Sequence, residues 1–351
     1  MLLDLSYLSY PLPPDIQRLY EAGDFARMDR VIRLRLDDPR VPEALKARLR
    51  VQTELAYEIL RAYPYTQAQM LEILQSHVKD FEAEELETLR DDGTLDWRYV
   101  NGEVRFKNNA LSGLLKTRAE YAARATDPEV KNGAKESARQ LHEIIAKMKA
   151  TGGVHARFEL HEQLTIRSDR LTPGETLRVH LPMPIVGAQV KSAALLGAPH
   201  PVAFLAPEDE PQRTIYFELP YQPGMTVSAD VAYEIDAPYQ QPHARDVYAE
   251  QPVFDTEELP PHVVFTPYLR ALAKEIVGDE TNALLKARKI YDFITTQAVY
   301  RFMPPYLTVT NIPEYFLSGL RGDCGVQAIT FVTLCRLCGV PAQWQSGLYT
   351  K

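Results

Sequence analysis

Three cysteines fall close together near the C-terminal end of this 351-residue chain, Cys324, Cys335 and Cys338. Cys324 sits in the run Gly322-Asp-Cys-Gly325. An apolar pattern follows, Val326, Ile329, Phe331, Val332, Leu334, Cys335 and Leu337. That spacing predicts a largely buried helix that closes at Gly339, ahead of Pro341, and leads into a strand. A thiol in the first turn of such a helix meets free backbone N–H groups and the positive end of the helix dipole. Both favour the thiolate, the nucleophilic form of cysteine. The same N–H groups can hold an oxyanion during acyl transfer, and Gly322 and Gly325 leave room for a substrate backbone. Asp323 has two readings. Its charge opposes thiolate formation if it lies near the sulfur, or it turns away and caps the helix. The bland alternative is that Cys324 is an ordinary small residue at a helix start.

Other candidate ligands are weaker. Cys335-Arg-Leu-Cys338 has the spacing of redox and zinc sites, yet it lies at the end of the helix where the dipole disfavours thiolate. No second pair or neighbouring histidine completes four ligands, so both read as packing residues. His155 and His161 are six residues apart on a predicted strand and share one sheet face. No third ligand is spaced to join them, and with His180 they read as exposed strand histidines. No metal and no cofactor is expected.

The elements that must position Cys324 read as an α+β, multidomain chain. Residues 1–150 are mostly helical. Asp15 is the expected cap of a first helix behind Pro13-Pro14, and Pro42 to Tyr63 forms a helix that Pro64 stops. Thr66 caps another helix. Residues 97–106 alternate around Asn101-Gly102 and predict a β-hairpin. Its Arg98, Arg105 and Lys107 could face nucleic acid as a wing, but no recognition helix with a basic face accompanies them. The hairpin is read as covering one end of the helical domain. A helix from Pro128 to Ala150 ends at Thr151-Gly-Gly153. Residues 154–237 then change to period two, with strands at 155–166, 175–181, 214–219 and 225–235, the pattern of a small antiparallel β-sandwich. Residues 238–262 read as a linker, and 263–351 open with helices at 267–277 and 282–294, the second capped by Asp279 or Thr281. Tyr300 to Leu320 reads as an ordered loop leading to Cys324.

The run Gly322-Asp-Cys-Gly, Ala328, Phe331, Leu334-Cys-Arg, Gly339-Val-Pro-Ala and Ser346-Gly347 resembles the core of the transglutaminase-like superfamily, papain-like cysteine enzymes. The resemblance implies that Cys324 is the nucleophile. It also implies a histidine base and an orienting aspartate on strands after Ser346-Gly347, beyond Lys351, so the chain is expected to be truncated there and inactive as it stands. Where the family commonly carries arginine, this chain has Gln343. The implied function is thioester chemistry on a peptide or isopeptide amide, by hydrolysis or transfer to an amine. The alternative is a non-catalytic peptide-binding scaffold with the same fold.

Composition narrows the partners. A net charge of -8 lacks the basic footprint of a nucleic-acid binder. Met1-Leu-Leu-Asp4 has no basic segment of a secretory signal, and no apolar run approaches the roughly 18 residues that span a bilayer. With clustered cysteines that cannot staple distant segments, a reducing, cytoplasmic setting is expected, with a peptide or protein substrate as partner and neither nucleic acid nor membrane. The oligomeric state is not legible.

Overall fold

Prolines and short polar caps punctuate the first third of the chain and set where each helix begins. A computed structural model of the protein describes residues 4–167, 171–248 and 250–347. It groups residues through 135 with 242–344 in one compact unit, and 136–241 with those from 345 in another. The architecture is mixed α+β, helices with several small antiparallel sheets.

In the first unit, α1 (Pro14–Glu21) starts with Pro14 at its first position. Asp15 therefore lies in the first turn and Pro13 takes the cap place, a correction that follows from proline's pre-set φ. Helices α2 (Phe25–Asp37) and α3 (Glu43–Ala62) bury Phe25, Met28, Ile32, Leu49 and Ile59 against Ile16. After β1 (Tyr65–Thr66), α4 (Gln67–His77) opens with a capping box between Thr66 and Gln69. Helix α5 (Ala83–Asp91) precedes the hairpin β2 (Trp97–Val100) and β3 (Glu103–Phe106). The hairpin turns through Asn101 and Gly102 at φ 53° and 88°, the left-handed pair that Asn-Gly adopts at low cost. Helices α6 (Ala110–Thr117) and α7 (Ala119–Ala123) close a second core around Met70, Leu74, Leu89, Phe106 and Leu114.

The hairpin's cations are engaged within the unit. Arg98 lies 5.4 to 5.9 Å from the ring centres of Phe25, Tyr63 and Tyr20. Arg105 donates to the Pro64 carbonyl at 2.8 Å and pairs with Glu103. Lys107 is buried and donates to Asn109. These contacts hold the hairpin against the helices rather than presenting a wing.

Helix α8 (Pro128–Thr151) carries the chain into the second unit, which comprises β4 (Gly153–Thr165), β5 (Thr176–Pro182), β6 (Val190–Gly197), β7 (Phe204–Leu205), β8 (Thr214–Pro220) and β9 (Thr226–Pro238). They form two antiparallel sheets, β4-β9-β6 and β5-β8-β7. Val179, Ile215, Phe217, Val227 and Val231 from the two sheets share one core. Strands β6 and β7 add to the four expected. β6 is hard to read because Ser192, Ala193 and Ala194 have weak strand propensity and its register shifts twice.

The chain then returns to the first unit through 242–266, a stretch with a 3-10 turn at Ala244–Asp246 and an antiparallel bridge between Leu259 and Val263. Helices α9 (Pro267–Val277) and α10 (Ala283–Gln297) follow, with Asn282, not Asp279 or Thr281, accepting from Leu284 and Leu285 as the α10 cap. The stretch from Tyr300 is not all loop. Asn311 caps α11 (Ile312–Gly319), with Pro313 in its first turn. Short β10 (Val299–Tyr300) and β11 (Arg321–Gly322) pair in parallel, and α12 (Cys324–Leu337) runs through the centre of this core. Residues 341–347 form no strand and are largely exposed. No strand pairs with them among the described residues, and an extended segment without a ladder gains nothing to hold it as one. No helix among the described residues is long and apolar enough to cross a membrane.

Candidate active site

Cys324 is placed by a tight sequence of stops and starts. Helix α11 ends at Leu320, held at φ 49° with its N–H returned to the Phe316 carbonyl. Two residues pair with β10, and α12 then begins with Cys324 as its first residue. The cysteine is exposed, whereas Val326, Thr330, Val332, Leu334 and Cys335 behind it are buried. The thiol thus stands at the positive end of a helix anchored in the core.

Asp323 resolves to the capping reading. One carboxylate oxygen accepts from the Val326 N–H at 3.2 Å and from the Tyr306 hydroxyl. The other accepts from the Met303 N–H at 3.4 Å. Three donors thus share its charge, and two of them are backbone.

The two flanking glycines act differently from the expectation. A Cβ on Gly322 would stand 2.2 Å from Val326 Cγ2 and 3.0 Å from the Phe316 ring. A Cβ on Gly325 would stand 2.1 Å from the Tyr306 hydroxyl. The space that glycine frees at each position is filled by the protein itself, not left for a substrate backbone.

Tyr306 is the site residue that the sequence reading missed. Its phenol is held protonated, first by burial and then by the hydrogen bond to Asp323, with the nearby Cys324 adding in the same direction. Its only sequence signal is membership of an aromatic, proline-rich loop 17 residues before Asp323. That loop is anchored on the N-terminal helices. Arg301 donates to the Gly93 carbonyl at 3.2 Å and to the Tyr315 hydroxyl at 3.1 Å. Lys116 Nζ lies 4.0 Å from the Tyr300 ring centre, and the Phe302 ring packs beside Gly113.

Cys335 and Cys338 are not brought to this site. Burial pushes the Cys335 thiol up to about 12 and raises that of Cys338, with Lys286 opposing the latter. Cys335 belongs to the core cluster, and the Cys338 carbonyl accepts from Lys286. The candidate histidines stay apart. His161, on β4, bonds Asp230 at 2.8 Å, and His180, on β5 of the other sheet, bonds Thr214 at 3.0 Å. His155 is exposed on β4. No group of metal-ligating side chains occurs among the described residues, and none of their histidines is hydrogen-bonded to Cys324.

Comparison with known proteins locates the resemblance. The sequence profile of the transglutaminase-like superfamily matches residues 270–351. A solved structure of a candidate cysteine protease from Cytophaga hutchinsonii is similar at 18% identity, covering 54% of this chain and 67% of that one, with a TM-score of 0.39. None of the curated proteins matches the chain. Helices α9 to α12, with the exposed cysteine at the head of the last, thus fall in or across the matched segment. Residues 270–351 are a core of the transglutaminase-like superfamily.

Proposed function

We propose that the protein is a transglutaminase-like cysteine enzyme acting on a peptide or isopeptide amide. The observation that carries this reading is Cys324 itself, exposed at the first position of a buried helix whose capping carboxylate is turned onto backbone donors and Tyr306. Cys324 would attack the amide carbonyl as thiolate, the C–N bond would break, and the amine would leave with a proton. The resulting thioester is released by water or by a second amine, which separates hydrolysis from transfer. N–H groups at the start of α12 are available to the oxyanion. A base must take the thiol proton and deliver it to the amine, and the superfamily resemblance implies a histidine oriented by an aspartate for this. The two-sheet unit is read as a small β-sandwich domain.

The test is competitive alkylation. Iodoacetamide at neutral pH, read by peptide mass spectrometry, is expected to label Cys324 at least about a hundredfold faster than Cys335 or Cys338. Equal rates would sink the proposal. A second reading, a peptide-binding scaffold, draws on the absence of a histidine bonded to Cys324 among the described residues. It predicts unchanged peptide binding in Cys324→Ser and no thioester trapped by a peptide substrate at any pH.

A further inference from the structure

The first unit holds a cavity of about 860 Å³ that is separate in its lining from Cys324. One wall comes from the N-terminal helices and hairpin, including Tyr20, Glu21, Trp97 and Arg98. The other comes from the core, including Tyr268, Glu314 and Tyr315. Much of the site therefore lies outside the segment that matches the superfamily.

The charges of the walls can be sorted by what already satisfies them. Arg98 lies over the Tyr20, Phe25 and Tyr63 rings, with its buried Nε left without a hydrogen-bond partner. Asp96, also in the lining, accepts from the Tyr63 hydroxyl at 2.7 Å and faces Arg301 at 3.8 Å. Among the described residues, the side chains of Glu21 and Glu314 have neutral partners only, the Gln17 amide and the Thr266 hydroxyl. Neither carboxylate is ion-paired with lysine or arginine among the described residues. The cavity thus offers two unneutralised carboxylates among the aromatic side chains of Trp97, Tyr268 and Tyr315.

We infer that this cavity binds a basic side chain, lysine or arginine, of a peptide. A cation gains an ion pair and the attraction of aromatic faces together. An anionic ligand would meet both free carboxylates. An apolar one would strip water from them without replacing it. The site is a cleft open to solvent, and its volume leaves room for more than one side chain, so flanking backbone fits as well, with Thr310 and Asn311 at hand in the lining. The loop that supplies Pro304 and Thr308 to the wall also carries Tyr306, which bonds Asp323 beside the cysteine. A peptide held here is therefore held by the same loop that borders Cys324.

Trp97 in the lining supplies the readout, in the full chain with Trp344→Phe so that a single tryptophan reports. The probe is the blocked pentapeptide Ala-Ala-Lys-Ala-Ala, compared with its Nε-acetyl-lysine and glutamate counterparts. The lysine peptide is expected to change Trp97 emission saturably, acetylation to weaken binding about tenfold or more, and Glu21→Gln with Glu314→Gln to do the same. Equal affinity for lysine and acetyl-lysine peptides, or no saturable change with either, would overturn the inference. The acetylation comparison uses protein with both carboxylates intact, so it holds even if the double variant folds poorly. Cys324→Ser is expected to bind the lysine peptide unchanged, which separates this site from the proposed catalysis.

Discussion

The two ends of α12 carry the same side chain in opposite circumstances. Cys324 is exposed at the N-terminal end, beside a capped turn and the positive pole of the helix. Cys335, three turns on, is 1% exposed in the core, and burial pushes its thiol up to about 12. One helix thus separates an exposed thiol at its head from a thiol packed in the core. The difference teaches that neither the residue type nor the C-x-x-C spacing decides reactivity. Exposure and position along the helix set the environments that the labelling test compares.

The largest expected effect on that contrast is the alkylation ratio, which should collapse toward one when the chain is unfolded in guanidinium, because both environments disappear together. A ratio that survived unfolding would mean that local sequence alone makes Cys324 reactive.

Next is Gly322→Ala. The added methyl meets Val326 and Phe316 in the core, so overpacking should cost about 1–3 kcal/mol in urea unfolding. Gly325→Ala, by contrast, meets the hydroxyl end of Tyr306, a side chain 38% exposed, which can swing away at the cost of its bond to Asp323. It should cost less stability while changing the Cys324 labelling rate. Equal costs at the two glycines would show that the Tyr306 contact is as rigid as the core.

Burial governs charge in the second unit as well. Glu162, on β4, has both carboxylate oxygens buried without a hydrogen-bond partner, and burial raises its pKa to about 7. The folded state therefore binds the proton more tightly than the unfolded one, whose value is near the ordinary 4.5. Its contribution is present below about pH 4.5 and is lost as pH rises through about 7. With partial solvent screening, Glu162→Gln should remove a fall of about 1–2 kcal/mol between pH 5 and 8, measured by urea unfolding at each pH. An unchanged pH profile would show that water reaches this carboxylate.

The smallest effect is at the cap. Asp323→Ala should cost about 1 kcal/mol, and Asp323→Asn, which keeps an acceptor, only a fraction of that. If the two variants label at Cys324 equally fast, the cap acts through geometry. If Asn labels faster than wild type, the aspartate charge was holding the thiolate back.

Much of the framework was legible from local rules. Pro64, Gly278 and Gly339 end their helices as read, Thr66 caps α4, and Asn101-Gly102 turns the hairpin, because each effect is decided within a few residues. The misplacements are also local and have local causes: Pro14 claims the first helical position ahead of Asp15, and Asn282 outcompetes its neighbours as a cap. A helix at 312–319 hid inside a proline-rich stretch because Pro313 sits where a missing N–H costs nothing.

By itself the amino-acid order determined that Cys324 heads an apolar helix, since periodicity and glycine placement are written along the chain. Only the tertiary structure decided what surrounds that thiol. Tyr306 reaches Asp323 across 17 residues, Phe316 and Val326 fill the space at Gly322, and Arg301 ties the bordering loop to Gly93 at a separation of 208 residues. Such contacts depend on which surfaces meet when the cores close. Hydrophobic burial drives that closure without direction, so no spacing rule within the sequence encodes it.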